Sequence, residues 1–243
     1  MLPCVLVMSV KTIIKLIVST VLLAVALSVV DFHELLNTVR SIPVWVIGSV
    51  VVGYMIGQLF SALKWWFIVR SSGIKATLIE ALRAYYVGMF FNVIGVGTLG
   101  GDVARAIVVS HGEAPKSVGV ATVVADRMHG LAVLACIGLL AVFFFGKHTL
   151  EPKFILGLGV IASCVILGWF FGPKLALKIL PENSKLKKSI EQPLQAFPTD
   201  TKTIITISIL SAIFHFHQIL LHALMAYGLG VRIPWLNLLV AVP

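Results

Sequence analysis

Two short charged motifs interrupt an otherwise apolar chain: Gly100-Gly101-Asp102 with Arg105 three residues further on, and Asp126 followed directly by Arg127. Residues of these types recognise charge. An arginine near a helix N-terminus receives an anion such as a phosphate, because the first-turn N–H groups and the guanidinium both present positive charge. Asp102 is expected to cap the second of two half-helices, with Arg105 one turn further on. The plainer alternative is that Asp102 only caps and Arg105 only snorkels to a membrane interface. Asp126 lies eight residues beyond Val118, about 12 Å along a helix, where a carboxylate needs a partner. Arg127 points about 100° away from it, whereas His129 shares its face. Partners are therefore expected from other helices: Asp126 with Arg105, or Arg127 with Asp102. Such pairs serve either as a structural bridge or as the wall of a binding site.

Other polar residues carry weaker signals. His215 and His222 are seven residues apart on one helix face, as a metal or haem pair would be, with His217 between them. No carboxylate accompanies them, so polar packing inside a helix bundle is the expectation, with no metal and no cofactor. Cys4, Cys136 and Cys164 are far apart and follow no metal-ligand spacing, which leaves packing as their role. Neither a phosphate loop nor a Ser-His-Asp or Cys-His arrangement is discernible, and no enzymatic activity is expected.

Composition dictates the elements that hold these residues. The 243 residues are 59% hydrophobic and only 12% charged, about half the charged share of a soluble chain. Mean hydropathy is +1.03. So few charges cannot cover a water-facing globule, and the chain is read as an integral membrane protein. Runs long enough to span are Thr12 to Val30, Pro43 to Leu63, Val118 to Phe145, Phe154 to Gly172 and Thr203 to Gly228, with a partial run from Trp235 to Pro243. The first could be taken for a cleaved signal peptide ending near Ala24-Val25-Ala26; an uncleaved span is expected instead. In the second, Ser49, Gly53, Gly57 and Ser61 recur every fourth residue, a smooth stripe for close helix packing. Trp45 at one end and Trp65, Trp66 and Arg70 at the other look like interfacial anchors.

The formal charge of +9 marks orientation rather than nucleic-acid binding. With the N-terminus in the cytoplasm, Arg40, Lys147, Lys153 and Arg232 face outward. Fourteen basic residues, from Lys11 to Lys202, face inward, and Arg127 lies within a span. This holds only if Ile74 to Lys116 enters and leaves by the same face. Ala84 to Leu99 carries Asn92, Gly88, Gly95 and Gly97, and a glycine turn over Gly95 to Gly101 precedes the short apolar piece Val103 to Val109. Broken helices of this kind are tolerated at membrane depth where they line a cavity. The expectation is an all-α polytopic membrane protein: one domain over 1–243 of about five full spans, a re-entrant broken-helix hairpin and the start of a further helix. Residues 173–202, with six lysines and Pro181, Pro193 and Pro198, read as a basic cytoplasmic loop touching anionic headgroups.

Lys64-Trp65-Trp66 and Arg70, Tyr86-x-x-Gly-x-Phe-x-Asn92, Gly100-Gly101-Asp102-x-x-Arg105 and Asp126-Arg127 together resemble the transmembrane domain of lysylphosphatidylglycerol synthases, within the wider group of flippase-like integral membrane proteins. The likeness covers most of the chain from the second span onward. It implies a multi-pass protein of the cytoplasmic membrane that moves an anionic phospholipid or polyprenyl-linked lipid between leaflets, with a lipid-modifying enzyme or a second copy as possible company. On that reading Gly100, Gly101, Asp102 and Arg105 hold the headgroup, Asp126 and Arg127 form the opposing wall, and Asn92, Trp66 and Arg70 support them. Relatives often place a proline before Gly100 and continue for several more spans, so this chain is expected to be a shortened member or a fragment. No acyltransferase-like domain follows, so the synthase activity does not carry over. Two rival expectations are a membrane-embedded glycosyl or aminoacyl transferase component, and a non-transporting scaffold that uses the stripe of the second span.

Overall fold

In the computed structural model the described residues are 10–94, 98–110, 115–146, 151–181, 184–194 and 196–242. They form helices α1 (Val10–Val29), α2 (Phe32–Ser41), α3 (Val44–Ser71), α4 (Leu78–Ile94), α5 (Thr98–Val109), α6 (Lys116–Ala141), α7 (Pro152–Ile179), α8 (Lys185–Leu194), α9 (Thr201–Gly228) and α10 (Trp235–Ala241). A π-helical turn, Val142–Gly146, continues α6. Among the described residues there is no strand. Four helices are long and apolar enough to cross a membrane, α3, α6, α7 and α9. The first expected span, Thr12 to Val30, is α1, which meets α2 at 69°; the bent pair makes a fifth crossing if counted as one. Asp31 forms the corner, its carboxylate accepting from the N–H groups of His33 and Glu34. This is the all-α polytopic membrane fold expected from the apolar runs.

The small-residue stripe is used inside the molecule. A Cβ at Gly53 would lie 2.6 Å from Leu221 Cδ2, and one at Gly57 3.0 Å from His217 Cδ2, so α9 packs directly on the α3 backbone. His217 Nε2 also contacts the Gly53 carbonyl oxygen at 2.6 Å. With α9 occupying it, this face is not available to a partner, and the scaffold reading loses the feature that suggested it.

The α4–α5 hairpin leaves and rejoins the bundle at one end. Val69 of α3, Ile74 and Ala76 before α4, Val109 at the end of α5 and Val118 at the start of α6 share one buried cluster, together with Ala196. That is the path of a re-entrant segment. Two local devices set its entry. Gly73 adopts φ +89°, a conformation costly for residues with a Cβ. Thr77 and Glu80 then form a reciprocal capping box, Glu80 N–H donating to Thr77 Oγ1 at 3.2 Å and Thr77 N–H donating to Glu80 Oε2 at 2.8 Å.

Three expectations are corrected. Trp65 is no interfacial anchor: it is wholly buried and donates its Nε1–H to Thr122 Oγ1 at 3.2 Å, because α6 and the hairpin enclose that end of α3. Trp66 instead closes the α3–α4 turn by donating to the Ala76 carbonyl, with the Arg70 guanidinium 5.6 Å above its ring. Residues 173–202 are not simply a loop. α7 runs through Pro173 to Ile179, α8 follows, and Phe197 packs on Trp169 with centroids 5.3 Å apart.

Asp200 caps α9 from outside the span and accepts from Thr203 N–H at 2.8 Å. That bond, and then the Thr203 hydroxyl, hold its carboxyl below the ordinary aspartate value. The folded form is the one with the lowered value, so the stabilisation is complete above the unfolded value and lost as pH falls through the folded one. Protection of the Thr203 amide, relative to its intrinsic exchange rate, is expected to fall in acid below about pH 4, and Asp200→Ala to show the weaker protection already at pH 7.

Candidate functional site

The site is built where the hairpin meets α3 and α6. α5 begins at Thr98, so Asp102 lies inside the helix rather than at its N-cap, and the expected capping role is corrected. Asn92 does related work: its Oδ1 accepts from Gly101 N–H at 3.1 Å, satisfying a first-turn donor. Gly95, Val96 and Gly97 of the expected turn lie outside the described residues. Gly101 is required by proximity, since a Cβ there would collide with Asn92 Oδ1 and the Gly88 carbonyl. At Gly100 the nearest atom to such a Cβ is Phe91 O, 3.8 Å away. Gly101→Ala is therefore expected to cost about 1–3 kcal/mol through overpacking. Gly100→Ala should change little, a contrast readable as melting temperatures in detergent.

With Asp102 freed from the cap, its carboxylate turns to two arginines. Arg127 Nη2 approaches Oδ1 at 3.1 Å and Arg127 Nε approaches Oδ2 at 3.2 Å, a two-point contact between α6 and α5. Arg105 Nη2 reaches Asp102 Oδ1 at 3.1 Å, and Arg105 Nη1 reaches Asp126 Oδ2 at 3.1 Å. Both inter-helix pairings expected from the sequence are thus formed together. Arg105 is only 4% exposed, and its guanidinium lies 5.0 Å from the Trp65 ring centroid and 5.2 Å from that of Tyr85. A cation so enclosed is fixed by two carboxylates and two rings. It does not snorkel to an interface, and it stands in the wall of a cavity.

Lys64 completes the cluster, and sequence reasoning missed it. Its residue type places it only among the fourteen inward-facing basic residues, yet it is buried, with Nζ 2.8 Å from Asp126 Oδ1 and 3.3 Å from the Asp126 carbonyl oxygen. The signal was available. Lys64 continues the inward stripe of Gly57 and Ser61 at helical spacing, whereas Arg70 lies nearly two turns closer to the end of α3. Tyr85 was missed as well; its hydroxyl donates to Ser61 Oγ at 2.7 Å.

These groups line a cavity of roughly 370 Å³ between α3, the hairpin, α6 and α9, with Gln58, Asn92, Gly101 and His215 also in its wall. Its charge is unbalanced: Lys64, Arg105 and Arg127 face Asp102 and Asp126, three cations to two carboxylates. Arg127, 51% exposed at its side chain, is the cation nearest the open edge. Trp66 and Arg70 do not reach this cavity and support it only through the α3–α4 turn. Gly100 is not in the wall either. Among the described residues no group of three or more histidine, cysteine, aspartate or glutamate side chains could hold a metal ion. His217 is engaged with Gly53, and His222 Nδ1 lies 2.8 Å from the Gln218 carbonyl oxygen on its own helix. His129 does share a side of α6 with Asp126, as expected, but turns to Ser208 Oγ at 3.1 Å.

Comparison with curated proteins and with solved structures gave no match. The family description of the lysylphosphatidylglycerol synthase TM region matches residues 12–243, essentially the whole chain and all of the charged cluster. The chain therefore belongs to the lysylphosphatidylglycerol synthase transmembrane-region family.

Proposed function

We propose that this protein moves a lipid bearing one negative charge, an anionic phospholipid or a polyprenyl-linked lipid with a phosphodiester head, between the leaflets of the cell membrane, as a translocator rather than an enzyme. The observation that carries the reading is the single excess positive charge in a cavity walled by membrane-spanning helices. An uncompensated charge away from water is costly, and a monoanionic head entering the cavity neutralises it. A zwitterionic head carries no net charge and leaves the excess in place. Arg127 makes the first contact at the open edge; Arg105 and Lys64 hold the carboxylates that position it. Gly100 lies within α5 outside the cavity wall and does not touch the head.

The orientation places the N-terminus and the basic segment 173–202 in the cytoplasm, following the excess of Lys and Arg on that side. A leaflet-exchange assay in reconstituted vesicles tests the reading with a panel of acyl-labelled probes that differ only in headgroup. Monoanionic probes are expected to exchange and zwitterionic ones to stay. Equal movement of both classes, or of neither, would sink it.

A further inference from the structure

One polar group in the cavity wall has no role in the reading above. His215 of α9 stands in the cavity wall, and its Nε2 is buried and has no hydrogen-bond partner among the described residues. A neutral imidazole keeps a lone pair on one ring nitrogen and can take up a proton there. A proton acceptor thus lines a cavity that already has an excess of positive charge. Buried polar atoms are nearly always satisfied, so one that is not calls for an explanation.

The groups facing His215 come from every neighbouring element. α3 presents Lys64. α6 presents Asp126, Arg127 and His129, and the hairpin presents Tyr85, Asp102 and Arg105. Lys64 acts on His215 through space and is itself held by Asp126. Without an anion present, a proton on Nε2 would add a second uncompensated positive charge to the first, which is unfavourable. With a monoanionic head beside Arg127, that proton restores only the original excess. Each ligand therefore favours the other, and thermodynamic linkage makes the effect reciprocal.

We propose that His215 binds the proton that accompanies each anionic headgroup through the protein, making the movement a proton-coupled, electroneutral cotransport. This rests on the lipid-translocating reading of the same cavity. The balance is complete: one proton and one monoanion enter from one side and leave at the other, His215 returns to its neutral form, and no net charge crosses. Such a carrier responds to a pH difference and not to membrane potential, whereas an uncoupled anion carrier does the reverse.

The test uses the full chain in phosphatidylcholine vesicles holding a trace of acyl-labelled phosphatidylglycerol, with pH difference and potential set independently by ionophores. A one-unit pH difference is expected to enrich the probe in the leaflet facing the alkaline side, up to about tenfold at equilibrium for one proton per lipid. A potential alone should do nothing. His215→Gln and His215→Asn, which keep a polar side chain that does not titrate, should exchange the probe without any pH-driven enrichment, and His222→Gln, outside the cavity, should behave like the unaltered protein. Trapped pH dye should report probe-dependent proton entry in the unaltered protein only. Enrichment that persists in both His215 variants, or that follows potential instead of pH, overturns the coupling while leaving translocation standing. No probe movement under any gradient overturns both readings.

Discussion

Arg127→Ala is expected to lower the leaflet exchange of a monoanionic probe by roughly 10- to 100-fold while the protein inserts and melts nearly as before. The size follows from losing one charge-assisted hydrogen bond, about 1.5–3 kcal/mol. Selectivity for activity over stability follows from position. Arg127 is half-exposed, and without it Asp102 still has Arg105 at 3.1 Å. Removing this residue also brings the cavity to neutrality, so the discrimination between monoanionic and zwitterionic probes should shrink with the rate. Arg127→Lys should recover part of the rate, since an ammonium keeps the charge but not the two-point fit to Asp102. Undiminished exchange in Arg127→Ala would remove this residue from the headgroup path.

Asp126→Ala should act in the opposite manner, on stability first. Asp126 holds Lys64 at 2.8 Å and Arg105 at 3.1 Å in surroundings that leave all three side chains under 10% exposed. Breaking a buried pair by taking one partner away strands the others, typically at about 3–5 kcal/mol. Here two cations are stranded. Denaturation in mixed micelles should register the loss, and Lys64→Met added to Asp126→Ala should recover part of it by removing one of the stranded charges. If the double variant is no more stable than the single one, Lys64 and Asp126 do not depend on each other as their geometry indicates.

Much of this arrangement was readable from residue order. Periodicity and hydropathy located α3, α6, α7 and α9, and depth along α6 required partners for Asp126 that α5 indeed supplies. What escaped has physical causes. Trp65 and Lys64 have residue types that suit a membrane interface, and only tertiary enclosure by Thr122, Tyr85 and Asp126 turns them inward. Asp102 looks like an N-cap because it follows two glycines; the helix nevertheless starts four residues earlier, since Gly101 is needed for contact with Gly88 and Asn92. The bend between α1 and α2 depends on Asp31, a single capping residue that hydropathy averaging passes over.

The shared burial of Ile74, Val109 and Val118 has a mechanical corollary. Because both roots of the hairpin are clamped at one end of the bundle, any rigid swing of it would pivot there and would have to break the Arg105–Asp126 and Arg127–Asp102 pairs. Asn92 and Gly101 join the two arms toward the far end from those roots and would be displaced most. A disulfide staple engineered at the roots should therefore leave the protein working, while one joining the tip to α9 should jam it.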